Sequence, residues 1–256
     1  MVTYLLKKSY QLKDLKEIEF QDLWGDHGVF TTMWIYGSSP KILFFKEHLQ
    51  NLLKSIKKYK IFKPSIKNDI NKLIKNNLDP KKNYNHLLRV AVNKKIISIS
   101  LRKRIKPKLD FNLKLVKLKR EKPEFKNLKY KEILKYLSKM DNSRSDVGLC
   151  SNTKIFETGT SNIFFVKKNK IYSPPINCYK GITYKFFKSK IKSVIKKEIL
   201  LKTLNEYDEI ILIGSGKGVA SVKTVDKIKW KRKSLKKFRL LNNHYLKAVK
   251  KYPRYR

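Results

Sequence analysis

Cysteine is nearly absent: Cys150 and Cys178 are the two in 256 residues. They are too few and too isolated for a disulfide framework or a metal cluster, so both read as reduced structural thiols and no metal is expected. The chain also lacks any stretch approaching the ~20 consecutive apolar residues of a membrane span. Its first residues, MVTYLLKKSYQLKDLKEIEF, hold no long apolar run ending in a small-residue cleavage site. A soluble, cytoplasmic protein without a membrane partner is expected. Acidic residues are scarce, 20 against 62 basic, for a formal net charge of +42. Arginine is scarce too, with nine against 53 lysines. A dedicated nucleic-acid surface draws on arginine for bidentate and stacking contacts, whereas here lysine is spread through every segment. That pattern fits the codon drift of an AT-rich genome and a solvated lysine coat, so a nucleic-acid partner is not expected. Hydrophobic residues make up 41% of the chain, enough for two modest cores.

What is there alternates between strand-like and helix-like segments, without repeats. VFTTMWIY (29–36) and KILFF (41–45) predict a hairpin around the turn GSSP. Leu49, Leu52, Leu53 and Ile56 fall on one face of a helix beginning near Lys46, and a second helix is predicted over 66–77. Residues 87–92, 96–101 and 111–118 read as strands of a first domain. The apolar pattern lapses in KLKREKPEFKN (117–127), which places the boundary at 120/121: an N-terminal domain of 1–120 and a C-terminal domain of 121–256. The latter opens with a helical run over 129–139. Strands follow at 148–150, 162–166 and 170–173, then a helix after Gly181 with Phe187, Ile191, Val194 and Ile195 on one side. Residues 209–213 and 219–222 are apolar runs broken by GSGKG. That loop lacks the Walker spacing and precedes a strand, so it is not a nucleotide-binding loop.

Several segments resemble the class IV aminotransferase family. GDHGVFTT (25–32) with FFKEHLQNLLKSIKK (44–58) is similar to its N-terminal signature. FETGTSNIFFVKKNKIYSPP (156–175), KGIT (180–183) and YDEIILIGSGKGVASV (207–222) are similar to its cofactor-binding half. Order and spacing agree over nearly the whole chain. The resemblance implies an α+β fold, the two-domain fold type IV architecture of D-amino acid aminotransferase-like enzymes. It further implies a homodimer, with pyridoxal 5′-phosphate and the active site between the domains.

Residue by residue, NLKYKEIL resembles the stretch carrying the lysine that links to the cofactor, which implies Lys129 as catalytic; otherwise it is one more surface lysine. Glu157 in ETGTSN matches the glutamate that keeps the pyridine nitrogen protonated. Asn162 is read as organising the turn and carries no chemistry. Gly181, Ile182 and Thr183 at the start of a helix, and Gly214 and Ser215 in GSGKG, would grip the phosphate. Thr31-Thr32 after GDHGVF resembles aminodeoxychorismate lyase, where transaminases commonly place Glu first. Thr32 would then assist proton transfer, although strand propensity alone also accounts for a threonine pair. Arg89 matches a position that holds a substrate carboxylate, or is a basic surface residue.

The activity so implied is elimination of pyruvate from 4-amino-4-deoxychorismate to leave 4-aminobenzoate, a folate precursor. A branched-chain or D-amino acid aminotransferase is the first alternative; a cofactor-free, polyanion-binding protein that kept the fold is the second. Some positions depart from the family pattern. Asn51 and Tyr184 stand where arginines are frequent, and Ile133 where transaminases have a tyrosine. Lys54, Lys180 and Lys217 are the cations available to replace the arginine missing at Asn51.

Overall fold

Alternation of apolar and polar residues builds the first sheet. Its elements are β1 (Tyr4–Gln11), β2 (Glu17–Ile18), β3 (Gly28–Gly37), β4 (Lys41–Ile42), α1 (Phe45–Lys58), α2 (Ile66–Asn77), β5 (Tyr84–Asn93) and β6 (Ile96–Lys103). The strands run in the order β2-β1-β6-β5-β3-β4, antiparallel throughout. One face is apolar, carrying Val29, Met33 and Ile35 of β3, Leu88, Val90 and Val92 of β5, and Ile97, Ile99 and Leu101 of β6. Against them pack Leu49, Leu52 and Ile56 of α1, spaced i, i+3, i+7, and Ile70, Leu73 and Ile74 of α2, spaced i, i+3, i+4, the stripes expected of amphipathic helices. The strand predicted through Phe45 stops at Ile42 instead. Phe44 takes a left-handed φ of 56°, which turns the chain directly into α1.

The second sheet gathers β7 (Phe111–Lys117), β8 (Ser145–Cys150), β9 (Lys154–Thr158), β10 (Asn162–Lys167), β11 (Lys170–Ser173), β12 (Ile195–Lys196), β13 (Ile199–Leu200), β14 (Glu209–Gly214), β15 (Gly218–Val225) and β16 (Trp230–Lys231). With them come α3 (Lys131–Leu137), α4 (Ile182–Lys190), a 3-10 turn at Leu201–Glu206 and α5 (Lys236–Lys251). The strand order is β12-β11-β10-β14-β15-β7-β8-β9-β13, with β16 beside β15. Read from the sequence as part of the first sheet, β7 lies in this one, parallel to both β15 and β8. The helix after Gly181 is also shorter than its apolar spacing suggests. It ends at Lys190, Ile191 is extended, and Ile195 pairs with Tyr172 of β11. β-Branched residues in this stretch favour extended backbone; Lys192, which the predicted helix included, lies outside the described residues.

The computed structural model describes residues 3–191 and 193–255. They form two units: Met1–Arg104 with Phe125–Tyr130 and Tyr252–Arg256, and Ile105–Glu124 with Lys131–Lys251. No helix among the described residues is long and apolar enough to cross a membrane.

Candidate active site

In the first unit, the segment carrying Lys129 is bonded to the start of β3. Phe30 N–H donates to Lys126 O (2.9 Å), Leu128 N–H to Gly28 O (3.0 Å) and Gly25 N–H to Leu128 O (2.8 Å). Gly28 is required there, because a Cβ on it would lie 2.4 Å from Val92 O and 2.7 Å from Leu128 Cδ1. The GDHGVF motif and the NLKYK motif, about a hundred residues apart in sequence, thus meet through an isolated antiparallel bridge, Val29 opposite Asn127. Leu128 and Tyr130 are buried, the latter against Trp24 and Phe30 with centroids at 5.7 and 5.5 Å, and between them Lys129 stands exposed.

Strand alternation separates the two threonines. Thr31 faces the core, 5% exposed, with its Oγ1 2.8 Å from His48 Nδ1 of α1. Burial, then the nearby Lys126 charge, pushes His48 down to about 3, so this imidazole is neutral. Thr32 points to the opposite face, directly across from Arg89 of β5. The Arg89 guanidinium lies 3.7 Å over the Trp24 ring and donates through Nη2 to Asp22 O. Its Nε is buried without a partner. Burial pushes Arg89 down to about 10, which leaves it charged at neutral pH.

In the second unit, Glu157 is 4% exposed at the end of β9. Its Oε1 accepts from Arg120 Nε at 2.7 Å and its Oε2 from Tyr179 N–H at 3.0 Å. Arg120, which no sequence motif marks, is itself 5% exposed and also donates to Pro123 O. Asn162, first residue of β10, ties the same loop down, accepting from Gly181 N–H at 3.0 Å and donating to Tyr179 O. It pairs in register with Ile213, next to Gly214, where a Cβ would come 3.1 Å from Ser161 Oγ. Glu157, Gly181 and Gly214 are therefore brought together by Asn162 and its neighbours. Ser215 sits in the three-residue loop between the paired Gly214 and Gly218, closed by the left-handed φ of 73° at Gly218.

Gly181 caps α4 without a side-chain bond, and the first intrahelical bond runs from Lys185 N–H to Gly181 O at 3.1 Å. The amides of Ile182, Thr183 and Tyr184 precede it and have no partner within the helix. The Thr183 hydroxyl is 1% exposed and also lacks a partner.

Two further residues prove to be structural. Tyr184 is buried with its ring 5.6 Å from Phe164. Ile133 is 2% exposed and so close to Gly159 that a Cβ there would meet its Cγ2 at 2.9 Å. Lys217 is committed within its own unit, donating to Thr160 Oγ1 at 2.9 Å with its Nζ 3.5 Å from the fully buried Asp146. Asp146 in turn accepts from Thr158 and Thr160 Oγ1, each at 2.7 Å. Asn51 lies half-buried on α1 in the first unit, and Lys54 is exposed one turn on. Both cysteines are free and buried, and burial pushes Cys178 up to about 11.

The donor set fits pyridoxal phosphate. A buried hydroxyl without a partner, beside helix-start amides that have no intrahelical acceptor, suits a phosphate ester. A carboxylate offers about four lone-pair sites, and one held in place by Arg120 and the Tyr179 amide suits a protonated ring nitrogen.

A family model described as amino-transferase class IV matches residues 28–225. Solved structures similar to this chain include the branched-chain aminotransferase of Thermoproteus uzoniensis, at 16% identity and a TM-score of 0.75 over 95% of each chain. The Escherichia coli branched-chain aminotransferase is 15% identical, with a TM-score of 0.72 over 96% of this chain and 94% of that one. A Legionella pneumophila protein assigned as a 4-amino-4-deoxychorismate lyase is 20% identical, with a TM-score of 0.66 over 86% and 91%. No curated protein matches the sequence.

Proposed function

The chain belongs to the class IV aminotransferase family of pyridoxal-phosphate enzymes, and from that premise we propose that it is a 4-amino-4-deoxychorismate lyase, forming 4-aminobenzoate and pyruvate on the way to folate. It works in this reading on a small-molecule substrate, as a cytoplasmic homodimer. The observation that carries the proposal is the pairing of Thr32 with Arg89 across β3 and β5. It sets a free hydroxyl beside a guanidinium on one sheet face, while Thr31 is spent on His48. The burial of Ile133, where a transaminase carries tyrosine, adds support.

Bound pyridoxal phosphate supplies an electron sink conjugated to the substrate's nitrogen. Glu157 holds a proton at the pyridine nitrogen, and Arg120 keeps that carboxylate placed. The amides and hydroxyls at Gly181, Ile182, Thr183, Gly214 and Ser215 hold the phosphate. The Lys129 amine removes a ring proton from the substrate as general base, and the Thr32 hydroxyl assists the transfer. Arg89 holds a carboxylate in a charge-assisted pair. Loss of the ring proton with cleavage of the ether C–O bond leaves an aromatic ring, and the departing enol takes up a proton to become pyruvate.

With 4-amino-4-deoxychorismate, 4-aminobenzoate and pyruvate should form faster than leucine or D-alanine exchanges nitrogen with a keto acid. Thr32→Ala should lower kcat more than it weakens cofactor binding. Vigorous transamination with no pyruvate release would identify an aminotransferase instead.

A further inference from the structure

The solvent side of the first sheet holds a second arginine that the mechanism above does not use. Arg89 stands opposite Ser100, and Leu87 opposite Arg102, in the β5–β6 register. Arg89 and Arg102 therefore project from the same face as diagonal neighbours, with Thr32 on the third strand of the row. Diagonal positions of this kind lie about 7–8 Å apart. Among the described residues, no hydrogen bond or ion pair engages the Arg102 side chain. Arg89 keeps a buried Nε without an acceptor and takes only a backbone carbonyl on Nη2. Burial pushes the pKa of both down, and each guanidinium feels its surroundings differently: the Asp22 charge raises Arg89 while Arg102 opposes it.

Two cations set side by side and partly desolvated repel each other and call for anions. Neither has a carboxylate bonded to it. Lysine is the default cation of this chain, nearly six to every arginine, so two arginines on one sheet row mark a place where the planar fork is used. We propose that Arg89 and Arg102 form a dicarboxylate-recognition pair, Arg89 holding one carboxylate of the substrate and Arg102, as the specificity-determining residue, the other. This rests on the lyase reading for its substrate, whose ring and enol side chain each carry a carboxylate, and it names the chemistry that separates such a substrate from a monocarboxylate amino acid.

The test is a binding titration of the full-length holoprotein, followed by tryptophan fluorescence because Trp24 lies under Arg89. The probes are chorismate, a dicarboxylate with a hydroxyl in place of the reactive amine, and benzoate, a monocarboxylate. Arg102→Met should weaken chorismate binding by roughly ten-fold or more while leaving benzoate within about two-fold, and Arg102→Lys should recover part of the loss as a point charge. In turnover, Arg102→Met should raise KM with little change in kcat. Equal loss for both probes, or no loss for chorismate, would overturn the pair. Chorismate binding that depends on Arg102 in a protein that forms no 4-aminobenzoate would instead retain the pair and refute the lyase.

Discussion

Lysines that look interchangeable in the sequence differ sharply in what surrounds them. Lys217 is buried on Asp146 and Thr160, so its ammonium is spent inside the second unit and it is no substitute for a phosphate-binding arginine. Lys180 immediately precedes the cap of α4 and is half-buried. It is the cation adjacent in sequence to the proposed phosphate site at Gly181–Thr183. A hydrogen bond to a charged group contributes about 1.5–3 kcal/mol, so Lys180→Ala should weaken cofactor binding by roughly ten- to a hundred-fold at about 1.4 kcal/mol per decade. An equilibrium titration with pyridoxal phosphate reads this directly; affinity unchanged in Lys180→Ala would remove the residue from the cradle. Arg120 was within reach of the sequence, since an arginine inside the lysine run KLKREK is the exception in this composition. What no pattern supplied was its partner 37 positions away.

At the scale of elements, alternation in β3 decides which threonine meets His48 in the core and which shares a face with Arg89. The GDHGVFTT motif alone leaves that open, because register depends on the partner strand and on α1. The helices with a clean apolar stripe, α1 and α2, were legible, and so were β5, β6, β10 and β11, whose apolar runs are bounded by polar turns. The length of α4 was not, because its continuing apolar spacing is used by β12 in a parallel pairing. Nor was α5, whose N-terminus is capped from a distant strand: Glu209 accepts from Lys237 and Phe238 N–H, each at 2.8 Å. The His48–Thr31 contact joining α1 to β3 has a consequence in pH. His48 is held at about 3 in the fold against about 6.5 unfolded. The unfolded chain therefore binds the extra proton between those values, and stability from this site is full above 6.5 and lost as pH falls. Between pH 6.5 and 5 the loss should be about 2 kcal/mol. Urea unfolding of the wild type and His48→Gln at both pH values should show the smaller drop in the variant; equal drops would mean that His48 is charged in the fold.

For the molecule as a whole, the family assignment spans residues 28–225, and the lysine coat is a feature laid over that fold. With 62 basic and 20 acidic residues, most basic side chains have no acidic counterpart. Those that are buried with defined partners, Lys217 and Arg120, serve specific loops. The two-domain fold type and the candidate site residues were read from four motifs in the right order, and periodicity by itself located strands and helices without saying which side chains meet. Lys129 shows the difference most plainly. It is an exposed lysine among 53, and what distinguishes it is the bonding of residues 126–128 to the GDHGVF strand. The measurement that tests the account most directly is borohydride reduction of the purified protein saturated with pyridoxal phosphate, followed by peptide mass mapping. A visible absorption band that reduction abolishes, with a single pyridoxyl group on Lys129, is the expected result. A label on Lys131 or Lys135, or a protein that gains no band with added cofactor, would contradict it.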